Sequence, residues 1–147
     1  MSFVSTVQSV FALWTNTFAA LLLARVRSPA AVVIDGEFDI YAATVVKRVQ
    51  NAMGKANNEF ICVLPYPEKD MEYYEEYYDN VMIPECIGRT HPKGAITKRN
   101  RWMVEQADLF ICYVEREEGG AYTALKYAKK LEKEVINLAE DEEERDE

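Results

Sequence analysis

Five cations, Arg89, Lys93, Lys98, Arg99 and Arg101, fall within Cys86–Val104 with no carboxylate among them, in a chain whose net charge is −8. A cluster like this matches phosphate or carboxylate, and arginine in particular offers a planar fork to either. Its bland counterpart is an ordinary solvated face. Further on, Gly119 and Gly120 stand between an apolar run and a helical pattern. Glycines there let the backbone approach a ligand closely, and a helix start presents N–H groups and a positive dipole end to anions. A third group is Gly36-Glu37-Phe38-Asp39. Its carboxylates suit ribose hydroxyls, or one of them acid–base work, with Glu37 the candidate catalytic residue. Each group has a structural alternative: Asp39 caps a helix, Phe38 packs, and Asn100 braces a loop.

The elements that must carry these residues are legible as periodicities. Short apolar runs at Ala31–Asp35, Phe60–Pro65, Leu109–Val114 and Val135–Ala139 read as strands covered on both faces. Asp39–Gly54, Thr97–Ala107 and Ala121–Lys133 read as amphipathic helices. Alternation of the two predicts an α/β fold, a three-layer sandwich around a mainly parallel sheet. In such a fold Gly36–Asp39, Tyr66 and Gly119–Gly120 all leave the carboxyl edges of strands, where ligands bind. The helix from Thr97 brings its first turn, with Lys98, Arg99, Asn100 and Arg101, to the same edge. Tyr73, Tyr74, Tyr77 and Tyr78 recur at helical spacing among Glu72, Glu75, Glu76 and Asp79. They read as a half-buried helix or partner-facing surface rather than a base-stacking platform.

Length and composition bound the rest. A chain of 147 residues, 49% hydrophobic and 29% charged, is one globular domain over residues 1–139. Residues 140–147 form an acidic tail, expected to be solvated. The net negative charge argues against a nucleic-acid partner. Three cysteines without short spacing and a single histidine argue against a disulfide framework and against a metal site, and a cytoplasmic location fits. Residues 1–24 have no charged side chain. The polar residues spread through them favour a buried helix or oligomer interface over a membrane span. Residues 1–30 hold either one long helix, or a strand at Val7–Trp14 with a short helix at Phe18–Arg27.

Three blocks carry a family resemblance: Gly36-Glu37-Phe38-Asp39, Lys98-Arg99-Asn100-Arg101-Trp102-Met103, and Gly119-Gly120-Ala121-Tyr122-Thr123 with Tyr127-Ala128. Over about residues 31–139 the chain resembles the SLOG superfamily, and within it the small bacterial members of unknown function. The superfamily also holds the LOG phosphoribohydrolases and the DprA-like proteins. The resemblance implies a Rossmann-like fold that binds a nucleotide or a nucleotide-derived, ADP-ribose-like ligand. The implied ligand-binding residues are Gly36, Glu37, Phe38, Asp39, Tyr66, Arg99, Asn100, Arg101, Gly119, Gly120, Ala121, Tyr122 and Thr123, with no cofactor. LOG enzymes carry a catalytic glutamate in a Pro-Gly-Gly-x-Gly-Thr-x-x-Glu motif. Here the block lacks the later Gly-Thr pair, and Lys126 stands where a related carboxylate is expected. Cleavage or transfer of an N-glycosidic bond is the alternative activity, and a non-catalytic oligomeric interaction module is the third. Similar members begin with a strand ending in Gly-His-Arg, a tripeptide this chain lacks, so its first strand is missing or atypical. Homo-oligomerisation through the apolar surface left exposed is expected to compensate.

Overall fold

The β-branched and apolar runs pair as parallel strands, with helices in the connections between them. The computed structural model describes residues 30–33, 37–53, 60–107 and 109–140. They belong to two compact units, one within residues 1–63 and Glu68–Met82, the other comprising Leu64–Pro67 and residues from Ile83 onward.

The first unit runs β1 (Ala30–Val33), α1 (Glu37–Met53), β2 (Phe60–Val63), α2 (Met71–Tyr77) and β3 (Asn80–Met82). Its sheet has the order β1-β2-β3 and is parallel throughout, with Ala30 opposite Phe60 and Ile61 opposite Asn80. The helix α1 packs on β1 and β2. It buries Ala42, Ala43, Val45 and Val46, and these small and branched side chains let it lie close to the sheet. Asp79 locks the approach to β3. Its N–H donates to the Phe60 carbonyl at 2.9 Å, and its Oδ2 accepts from the Phe60 N–H at 2.8 Å and from Gln50 Nε2. Tyr78 is buried with its ring 4.6 Å from that of Phe60.

The second unit contains a 3-10 turn at Glu85–Ile87, then α3 (Pro92–Gln106), β4 (Leu109–Cys112), α4 (Gly120–Lys130) and β5 (Glu134–Asn137). Strands β4 and β5 are parallel, with Phe110 opposite Val135, and α4 covers both. Val104 of α3 meets Ala124 and Ala128 of α4, and Phe110, Tyr127 and Val135 pack around them. Alanines on the facing side of α4 allow this close helix contact.

The described elements are thus a mixture of helices with short parallel sheets, an α/β organisation. They fall in two sheets, of three and two strands. One strand, β3, was not anticipated by the apolar runs. The last expected strand, Val135–Ala139, is cut short at Asn137, where the chain turns helical over residues 138–140. The alternatives for residues 1–30 concern positions outside the described residues except for Ala30, and the tail beyond Glu140 also lies outside them. Among the described residues, no helix is long and apolar enough to cross a membrane.

Candidate functional site

The helix carrying the cations begins earlier than its charge pattern suggests. His91 caps α3, its Nδ1 accepting from the Lys93 N–H at 3.3 Å, and Pro92 occupies the first turn. Proline is well suited there because its fixed φ is helical and its missing N–H is not needed. Lys98, Arg99 and Arg101 therefore lie in the middle of α3 and not at its start. At 1.5 Å per residue, Arg99 sits about 10 Å along the axis from Pro92, beyond the reach of the terminal dipole.

What brings Asn100 to Gly120 is packing of α3 against α4. Arg99 is only 2% exposed, and its Nε donates to Asn100 Oδ1 at 3.1 Å. With the amide oxygen so engaged, the amide nitrogen is turned toward α4. A Cβ built on Gly120 would lie 3.8 Å from Asn100 Nδ2. The side chain of Arg99 thus orients its neighbour's donor. Its burial leaves it poorly placed as the solvent-facing phosphate clamp that its sequence position suggested.

Gly119 precedes α4 with φ +92°, a conformation that side chains other than glycine's rarely adopt. It offers no side-chain cap to the helix. The first intrahelical bond runs from the Thr123 N–H to the Gly119 carbonyl at 3.1 Å, and the Thr123 hydroxyl donates to that carbonyl at 3.0 Å. The N–H groups of Gly120, Ala121 and Tyr122 precede this bond, so they are the ones a helix start leaves for an outside acceptor. Gly119, Gly120, Ala121 and Thr123 are exposed and Tyr122 is half-buried. Beside Asn100 Nδ2 they form a cluster of donors suited to an anion or a hydroxyl-rich group.

Arg101 is turned to a different task. Its guanidinium lies over the Tyr127 ring, 5.3 Å from the centroid, while the Tyr127 hydroxyl donates to Glu105 Oε1 at 2.7 Å. The bond to Glu105 holds the Tyr127 phenol above its ordinary pKa, and Arg101 opposes that shift. Together they clasp α3 to α4 one helical turn and more beyond Gly120. Lys126, at the position where a carboxylate was of interest, lies over the Tyr122 ring at 4.8 Å from its centroid.

The remaining predicted residues lie on other segments of the chain. Tyr66 is half-buried in the Leu64–Pro67 segment of the second unit. Glu37, Phe38 and Asp39 occupy the first turn of α1, in the first unit, and Gly36 lies outside the described residues. The helix starts before Asp39, which is therefore not its cap. The structure adds Asn137, whose side chain holds Val114 two residues past the end of β4, ahead of the glycine turn. An asparagine closing an apolar strand run was the available signal. Comparison with known proteins gave no match to a family model, a curated protein or a solved structure.

Proposed function

We propose that the start of α4 is a binding site for a nucleotide or nucleotide-derived ligand, with its phosphate or ribose held by backbone N–H groups of Gly120–Tyr122 and by Asn100. The observation that carries this reading is the placement of Asn100 Nδ2 beside the position a Gly120 side chain would fill. The Arg99 bond that orients the amide supports it, as does the resemblance of these blocks to the SLOG superfamily. The same resemblance implies a Rossmann-like three-layer sandwich, and we place the protein with that superfamily as a cytoplasmic homo-oligomer that binds no nucleic acid. Binding without cleavage is preferred because Lys126, and no carboxylate, stands on the outer face of α4 beside Tyr122.

Thermal shift and calorimetry against AMP, ADP and ADP-ribose test the reading. Ligand at a hundredfold excess over its dissociation constant stabilises by about 2.7 kcal/mol, a shift of several degrees. Asn100→Ala and Gly120→Val are expected to remove the shift while the proteins remain folded. Absence of any response in the folded wild type overturns the proposal.

A further inference from the structure

The tyrosines of α2 and the one at its C-cap, Tyr78, form two rows. Tyr74 and Tyr78, stacked 26° apart, face inward: Tyr78 is buried and Tyr74 half-buried. Burial, followed by the nearby Glu68, raises the Tyr74 phenol above its ordinary pKa. Tyr73 and Tyr77 make the outer row, their rings 6.3 Å apart and within 9° of parallel. Tyr73 is 63% exposed, the largest outward display of an apolar ring among the described residues. The helix itself buries no residue. Exposed carboxylates Glu68, Asp70, Glu72, Glu75 and Glu76 lie along this segment, with Lys69 the one cation among them.

The inner end of the outer row already holds a cation. Lys47 Nζ donates to the Tyr77 carbonyl at 2.7 Å and lies over the Tyr77 ring, 5.3 Å from its centroid. Tyr73 continues the row with a parallel ring, with exposed Glu72 beside it in sequence and exposed Glu76 one turn on. A ring quadrupole attracts a cation, and adjacent carboxylates add to that attraction.

We propose that the outer face of α2, centred on Tyr73 and bounded by Glu72 and Glu76, is a docking surface for an arginine-bearing polypeptide segment. Charge complementarity selects a cationic partner. The flat ring selects guanidinium over ammonium, since a planar, weakly hydrated cation stacks on it while the flanking carboxylates take its N–H donors. This surface lies in the first unit and is independent of the nucleotide site proposed at α4.

Fluorescence anisotropy with labelled arginine and lysine peptides of equal length and charge tests the proposal. The arginine peptide is expected to bind at least about fivefold tighter, in keeping with a cation–π preference. Tyr73→Ala is expected to remove that preference, and Tyr73→Phe to keep it. The pair Glu72→Gln and Glu76→Gln is expected to weaken both peptides and flatten the salt dependence. A matched pair in the acidic tail, Glu143→Gln and Glu144→Gln, controls for general charge. Equal affinity for the two peptides, no binding, or a loss in the tail control equal to that at α2 overturns the proposal. Sedimentation showing that α2 is covered by self-association, relieved by Tyr73→Ala, also overturns it.

Discussion

Asn137 treats Val114 as a strand partner would, accepting from its N–H with Oδ1 and donating to its carbonyl with Nδ2, both at 3.0 Å. The same Oδ1 accepts from the Ala139 N–H at 3.2 Å. The last paired residues of the ladder are Cys112 and Asn137. A side chain therefore carries the pairing past the point where the backbone of β5 turns away. Asn137 is 7% exposed, so groups stripped of these bonds have little access to water.

Asn137→Ala is accordingly expected to destabilise the protein by about 2–4 kcal/mol, since three backbone groups lose their partner. Asn137→Asp keeps the acceptors but loses the donor and sets a carboxylate against the Val114 carbonyl, so it too is expected to destabilise. Urea unfolding followed by circular dichroism measures both. A loss under about 0.5 kcal/mol for the alanine variant would show that water replaces the amide.

The two glycines before and at the start of α4 are expected to respond differently to alanine. Gly119 holds φ +92°, so Gly119→Ala stores backbone strain and costs about 1–3 kcal/mol although its Cβ meets open space. Gly120 has an ordinary φ, and its added Cβ would make normal contact with Asn100. Gly120→Ala is expected to be neutral or to stabilise by up to about 1 kcal/mol through loss of unfolded-state freedom. Thermal melts of the two variants check the contrast, and equal losses at both positions would refute it.

The thiols divide by burial. Cys62 and Cys112 are buried and Cys86 is exposed, so native protein treated with iodoacetamide is expected to take up one adduct, at Cys86. Burial first, then the nearby Glu140, pushes the Cys112 thiol up to about 12 from an ordinary value of 9.0. Below pH 9 the thiol is neutral in both states, and the preference for the folded state is fully kept. As pH rises toward 12, the unfolded chain loses its proton first, so stability falls. Tyr78, raised in the same direction by burial, adds to the loss from the first unit. Urea midpoints measured between about pH 8 and about pH 10.5 are expected to decline, less steeply in Cys112→Ala. A flat profile in the wild type would contradict this.

The alternation of strands and helices was legible because the runs at Phe60 and Leu109 are apolar without a helical period. The start of α4 was legible from its two glycines. Four features were not, for separate reasons. Strand β3 is three residues long and opens on a polar Asn80, too short for any periodicity to register. The start of α3 was placed at Thr97, five residues late. Gly94 in the first turn weakens the helical pattern there, although Pro92 is the start signal that sequence offers. Burial of Arg99 follows from its sharing a face with Ala95 one turn earlier, both of them almost fully buried. Charge type alone suggested solvent, whereas i, i+4 spacing from an alanine pointed inward. Asn100 could be recognised as a site residue, but its orientation depends on a bond to its own neighbour that no spacing reveals.

The strand registers have a consequence for how the chain acquires its structure. Ala30 pairs with Phe60, Ile61 with Asn80 and Leu109 with Glu134, so no described strand waits for a partner more than about thirty residues away. Parallel pairing is slow to form where the connecting loops are long, because closure entropy must be met before contacts repay it. Here each pairing closes over a single short crossover. A chain emerging from the ribosome can complete β1 with β2, then β3, before β4 has emerged, and its strand edges spend little time unpaired.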